Sequence, residues 1–190
     1  MTNIKTILSV IGIVLTFVAY VPYIRDTVKG KTKPHVFSWI IWAITTGIIY
    51  ALQASAGAGS GAWITLTVAL IMFTIVFLSL KGGEKNIKPV DVVFFILALV
   101  ALALWLLVHQ PLLSIILLTT IDMLGFASTF RKSWENPYSE TLSTYAINGF
   151  RSGLAFFALA EYNIITSLSS VSWTIANGLF VAMLVIRRRK

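Results

Sequence analysis

Apolar runs of the length that crosses a bilayer recur along almost the whole chain, and they leave little freedom in what it can fold into. A helical span takes about 20 largely apolar residues. Seven such runs are legible, at 6–24, 36–54, 62–80, 90–108, 112–130, 142–160 and 165–186. They fill nearly all of the 190 residues, so no separate globular domain fits. Charged residues make up 12% of the chain and apolar ones 57%, where a soluble domain carries about 25% charge. The expected fold is therefore an all-α integral membrane protein with seven transmembrane helices.

The breaks between runs carry turn chemistry. "SAGAGSG" (55–61) is a glycine-rich connection, and "KGGEKNIKP" (81–89) ends one helix and offers Pro89 as the first residue of the next. In "ENPYSE" (135–140), Pro137 stops a helix before Ser139 or Thr141 caps the sixth span. The first run has Lys5 ahead of an apolar core, as a signal peptide does. It lacks a small-residue cleavage site, however, and runs on into "YVPYIRD", which favours a span.

Lys and Arg set the orientation. Arg25 to Lys33, Lys81 to Lys88, Arg131 with Lys132, and the closing "RRRK" all follow odd-numbered spans. The opposite side has only Lys5, and Arg151 lies within a span. Positive charge marks the cytoplasmic face, so the N-terminus is expected outside and the C-terminus in the cytoplasm. The net charge of +8 is thus an orientation signal and a headgroup anchor, not a nucleic-acid surface. With no cysteine there are no disulfides, thiolate metal sites or Cys nucleophiles. His35 and His109 lie at span ends without ligand-like spacing, and nothing else points to a metal or cofactor. The absence of an N-x-[ST] acceptor agrees with a bacterial inner membrane.

A shift of 106 residues brings the first three spans onto the last three without gaps. Tyr20 meets Phe126, Arg25 meets Arg131, Ser38-Trp39 meets Thr144-Tyr145, Thr46-Gly47 meets Ser152-Gly153, and Lys81 meets Arg187. Polar, aromatic and glycine matches in one register indicate an internal repeat. The units are 6–80 and 112–186, with 90–108 as a linker helix. One three-helix unit reverses the chain and the single linker restores its direction, so the copies are parallel. Transporters built this way bind solute between the halves near the midplane.

The 3+1+3 plan resembles the SWEET and PQ-loop superfamily of small-solute transporters. "AYVPYIRDTVKGKTKPHVFSW" is similar to its first motif, with a proline near the end of the first span, a basic loop, and Ser before the second span. "TIANG" (174–178) resembles the Asn-Gly of the SWEET sugar pocket. The sequence departs from the family pattern at Tyr23, in place of the motif glutamine, at Ser128-Thr129 in the second repeat, and at Ile71, the counterpart of Asn177. The resemblance implies a bacterial branch of carriers, association into homo-oligomers, and Pro22 as a hinge at the cytoplasmic gate. The residue-level alternative for Pro22 is that it ends the first helix before Arg25.

The chemistry-bearing residues share one depth. At ~1.5 Å per residue, Asp122 lies roughly 13 Å above Arg131, and Asn177 roughly 15 Å above Arg187. Arg151 lies at a similar height in the sixth span, with Asn148 one turn nearer the cytoplasm. Intramembrane charges are costly and usually paired, so two readings stand: a structural Asp122–Arg151 ion pair, or a pair facing a solute cavity. In the repeat register Asp122 and Arg151 match only Thr16 and Thr45, so any site is asymmetric. Trp42 and Trp173 lie deep enough to stack on a ring, and Tyr145 of the sixth span is a further aromatic candidate. Interfacial placement is the ordinary expectation for Trp39, Trp63 and Trp134.

The leading function is a facilitator or secondary carrier of a small polar solute such as a sugar, nucleoside or vitamin. The alternative is a non-transporting receptor or sorting protein on the same scaffold, in the manner of the KDEL receptor. The seventh span has no lysine for a retinal Schiff base. No HExxH, Ser/His pairing or paired carboxylates point to an enzyme.

Overall fold

The computed structural model describes residues 2–84, 87–107 and 110–189. Seven helices follow one another: α1 (Thr2–Val28), α2 (Val36–Ser55), α3 (Ala62–Gly82), α4 (Pro89–Leu107), α5 (Pro111–Glu135), α6 (Leu142–Ala158) and α7 (Ile164–Arg188). No strand occurs among the described residues, only an isolated bridge between His35 and Glu84. Five segments are long and apolar enough to cross a membrane: Ile4–Val28, Val36–Ser55, Gly59–Gly82, Pro111–Glu135 and Ile164–Arg188. Hydrocarbon offers no partner to a backbone N–H or C=O, so helices are the form in which such segments satisfy themselves. α6 is shorter, at 17 residues, and carries Arg151. His109 and Lys85 lie outside the described residues.

Local chemistry sets the helix ends. Pro89 and Pro111 each stand first in their helices, where the missing N–H costs nothing. In the α2–α3 connection Gly57 and Gly59 have φ of 81° and 61°, the left-handed region that glycine enters freely, and a single 3₁₀ turn follows at Gly59–Gly61. Asn163 and Thr166 close a reciprocal capping box on α7. Thr141 does occupy the N-cap position of α6, but it does not cap. Its hydroxyl is engaged by Thr32 at 2.6 Å across the bundle.

α3 packs against both α1 and α2, and α7 packs in the same way against α5 and α6. The two sets meet where α1 lies along α6 and α2 along α5, while α4 leans chiefly on α5. Two hydrogen bonds cross this junction in matching positions. Ser38 Oγ donates to Gly125 O at 2.5 Å, and Thr144 Oγ1 donates to Ala19 O at 2.8 Å. The Tyr20–Trp39 and Phe126–Tyr145 ring pairs match likewise, each with centroids 6.3 Å apart.

The basic connections gather at one end. Lys33 N donates to Ser139 O, Glu84 N to Pro34 O, Lys88 pairs with Glu135, and Arg188 donates to Pro137 O and Glu140 O. At the other end Lys5 Nζ donates to Ala160 O at 2.9 Å. α1 turns Ile4, Ile7, Val10, Ile11, Val14 and Phe17 outward, an apolar face suited to lipid.

Gly83 follows α3 where two carbonyls converge. A Cβ there would lie 2.4 Å from Ser79 O and 2.8 Å from Pro34 O, both backbone atoms that cannot swing aside. Gly83→Ala is expected to destabilise the protein by about 1–3 kcal/mol, read as a lower midpoint in thermal unfolding of the detergent-solubilised protein.

Candidate functional site

A cavity opens between α1, α2 and α3 on one side and α6 and α7 on the other. Arg151, Asn148, Asn177, Trp42, Trp173 and Tyr145 all line it. Its wall also includes Tyr20, Trp39, Thr46, Thr65, Met72, Thr144, Ser169 and Ser170, which depth arithmetic alone did not single out. Apolar and hydroxyl side chains at helical spacing look alike in a buried core and in a cavity wall. Among these, Tyr20, Trp39, Thr46 and Thr144 carried a prior signal, through the repeat register.

Asp122 is not on that wall. Its carboxylate is fully buried, at 0% exposure, behind the two tryptophans. Trp173 Nε1 donates to Asp122 Oδ2 at 3.3 Å, Thr45 Oγ1 donates to Oδ1, and Trp42 Nε1 donates to the Asp122 backbone carbonyl at 3.0 Å. The two indoles meet edge to face, 5.5 Å apart. Both side chains border the cavity while their N–H groups point back to Asp122.

The Asp122–Arg151 ion pair suggested by equal depth is therefore absent among the described residues. Depth along a helix says nothing about rotation around it. Asp122 turns towards α2 and α7, whereas Arg151 turns towards the cavity, where Tyr20 of α1 lies beside it. Arg151 Nε donates to Asn148 Oδ1 at 3.1 Å, and Nη2 reaches Ser152 Oγ at 3.5 Å. Asn177 Nδ2 donates to Trp173 O at 2.7 Å, holding that amide against its own helix. Thr45, the repeat counterpart of Arg151, is instead the partner of Asp122.

Two further expectations are corrected. Trp39 is not interfacial: it is 2% exposed, packed on Tyr20 and Tyr23 and donating from Nε1 to Tyr23 Oη at 3.2 Å. Trp63 and Trp134, 55% and 53% exposed, do face outward. Pro22 does not end α1, which continues through Arg25 to Val28. It remains an interior proline, with the backbone hydrogen bond at its nitrogen missing.

Below Tyr145, towards the basic end, aromatic rings close the space. Phe126, Tyr145 and Phe180 pack mutually, with Tyr145 and Phe180 at 4.5 Å, and Tyr23 touches Tyr145 from the other side. Tyr145 Oη donates to Glu140 Oε2 at 3.0 Å. Glu140 is also paired with the nearly buried Lys132, whose Nζ donates to Lys33 O at 2.6 Å. This set ties the end of α5 and the start of α6 to the α1–α2 loop. Beside it, Asp91 pairs with Arg131 and lies 3.7 Å from His35 Nε2, while His35 Nδ1 meets Ser38 Oγ at 3.2 Å.

The chain matches no protein-family model, no curated protein and no solved structure. What can be said of the site rests on its own geometry. It is a pocket with aromatic and hydroxyl walls and one guanidinium, inside a helical protein whose longest segments suit a bilayer.

An asparagine at position 122 can keep both side-chain contacts, accepting from Trp173 and donating to Thr45, whose own proton then goes to Ile41 O, 2.9 Å away. Asp122→Asn is therefore expected to melt at or above the wild-type temperature. Asp122→Leu strands the indole N–H and is expected to lose about 1–3 kcal/mol. Thermal unfolding of both variants in one detergent checks the order.

Burial holds the His35 imidazole below its ordinary value of 6.5, against the opposing pull of the Asp91 carboxylate. The unfolded chain then takes up a proton that the folded chain resists. This contribution to stability is complete above 6.5 and is lost as pH falls through the folded value. Between about pH 7.5 and about pH 5, the unfolding midpoint is expected to fall more steeply for wild type than for His35→Gln. Equal slopes for the two proteins would contradict this.

Proposed function

We propose that this protein is a carrier for a small polar solute, working by alternating access between two parallel three-helix bundles, 6–80 and 112–186, joined by the α4 linker. The observation that carries the reading is the cavity. It is bordered by α1, α2 and α3 of one bundle and by α6 and α7 of the other, and it combines aromatic faces with hydroxyls, carboxamides and a guanidinium. Pockets with mostly apolar walls and a few convergent polar groups are the usual form of small-molecule sites.

The bundle plan is supported by matched packing. α3 relates to α1 and α2 as α7 does to α5 and α6, and the Ser38–Gly125 and Thr144–Ala19 bonds exchange places under the 106-residue shift. The gathering of the basic connections at one end supports a cytoplasmic placement for that end, in an inner (plasma) membrane with the N-terminus outside. The SWEET and PQ-loop likeness points the same way.

On this reading the described conformation faces outward. The cavity reaches up to Thr65 on α3 and to Ser169 on α7, each within about two turns of its helix start, away from the basic end. The Phe126, Tyr145 and Phe180 rings and the Lys132–Glu140 pair form the closed inner gate. Rocking the bundles about the α1–α6 and α2–α5 seams would open this gate and close the outer mouth, with interior Pro22 as the compliant point of α1.

Trp42→Ala removes part of the cavity wall, and Asn177→Ala removes a carboxamide that lines it. Reconstituted into proteoliposomes and screened with sugars, nucleosides, vitamins and small organic acids, the wild-type protein is expected to give saturable uptake that either variant reduces at least about tenfold. Saturable ligand binding with no flux of any solute would favour the receptor reading instead.

A further inference from the structure

We propose that the solute is a small organic anion, a monocarboxylate of the size range from acetate to lactate, bound through its carboxylate to Arg151. The inference rests on the cavity's being a solute site, and it names the chemical class.

Arg151 is the one charged side chain among the described residues that line the cavity. It is 8% exposed, and no carboxylate pairs with it among the described residues. Its protein acceptors are neutral: Asn148 Oδ1 at 3.1 Å and Ser152 Oγ at 3.5 Å. A guanidinium has five N–H donors in a planar fork, so this one keeps donors that no described protein group accepts. A cation desolvated to this degree without a counter-charge is unfavourable, and an oxyanion meeting the fork bidentately removes that penalty. Asp122, the acid at the same depth, does not serve as counter-ion because Trp173 and Thr45 hold its carboxylate outside the cavity.

The surroundings narrow the class. With no acidic group on the wall, an amino acid's ammonium would find no counter-charge, so a simple carboxylate fits better than a zwitterion. The hydroxyls of Ser169 and Ser170 line the same cavity and donate to no described protein group, which suits an electron-rich guest. The cavity volume is about 60 Å³, room for a few waters. That corresponds to a guest of a few heavy atoms, smaller than a sugar or nucleoside. The Trp42 and Trp173 side chains and Met72 form an apolar wall for its short carbon chain.

The test is titration of full-length protein in detergent with sodium acetate, sodium lactate, inorganic phosphate and glycerol, followed by isothermal calorimetry. The expected result is saturable binding of acetate and lactate, with glycerol silent. Arg151→Gln should weaken lactate binding at least about 30-fold, and Arg151→Lys should do so less, since it keeps the charge but loses the fork. Both variants should keep the wild-type helical circular dichroism. No saturable carboxylate binding, glycerol binding as tight as lactate, phosphate displacing carboxylates as the preferred ligand, or Arg151→Gln binding lactate as wild type does would each overturn the proposal. Proteoliposome flux separates it from the carrier reading. Lactate binding without lactate flux keeps the anion site and removes transport. Glucose or glycerol flux that Arg151→Gln leaves intact keeps transport and removes the anion.

Discussion

In hydrocarbon, apolar side chains gain little by leaving lipid for one another, so helices associate through close packing and the hydrogen bonds that packing permits. Here the junction between the two sets of helices depends on a pair of such bonds, Ser38 to Gly125 O and Thr144 to Ala19 O. Each hydroxyl reaches a main-chain carbonyl on a neighbouring helix, and each carbonyl belongs to a residue small enough to let the hydroxyl close in. At Gly125 even an added Cβ would stand 3.2 Å from Trp42 Nε1. Interhelical bonds of this kind contribute only about 0.6 kcal/mol each on average. Their importance is geometric. They fix the rotation of α2 against α5 and of α6 against α1, and so decide which residues border the cavity and which lie behind it.

Rotation is what separates the two buried charges. With α2 held against α5, the Trp42 N–H faces the Asp122 carbonyl and Thr45 comes up against the carboxylate. With α6 held against α1, Arg151 is carried to the opposite side of the tryptophan pair. Trp173 bridges the two regions, its nitrogen engaged with the acid and its ring bordering the space that contains the base. A change in that ring's position is thus felt by Asp122, although nothing entering the cavity touches the carboxylate directly.

Much of the fold could be read from the chain. The apolar runs anticipate all seven helices, with the main differences being longer ends on α1 and α5, where polar residues such as Thr2 and Glu135 continue the helix past the apolar stretch. Pro89 opening α4 and the break at Pro137 follow from proline's missing N–H. Rise per residue places Asp122, Arg151 and Asn177 in one layer, with Asn148 and Trp173 a turn away; Arg151, Asn177, Asn148 and Trp173 line the cavity and Asp122 does not. The partners of Asp122 were not legible, because a rise fixes height and leaves azimuth open. Trp39 was misjudged for a related reason. Its position near a helix start suggests an interface, while the tyrosines that bury it, Tyr20 and Tyr23, come from a different helix.

The short α6 has a consequence for biogenesis. Its 17 residues include Asn148 and Arg151, and an arginine near a helix centre opposes entry into the bilayer from the translocon by about 2.5–3.5 kcal/mol. A segment so handicapped partitions poorly by itself as it leaves the ribosomal tunnel. α7, which is apolar enough to cross and packs along α6, is synthesised next. On the proposed seven-span plan the two would enter the lipid together as a helical hairpin, so that the residue giving the cavity its charge would also make insertion of α6 depend on α7.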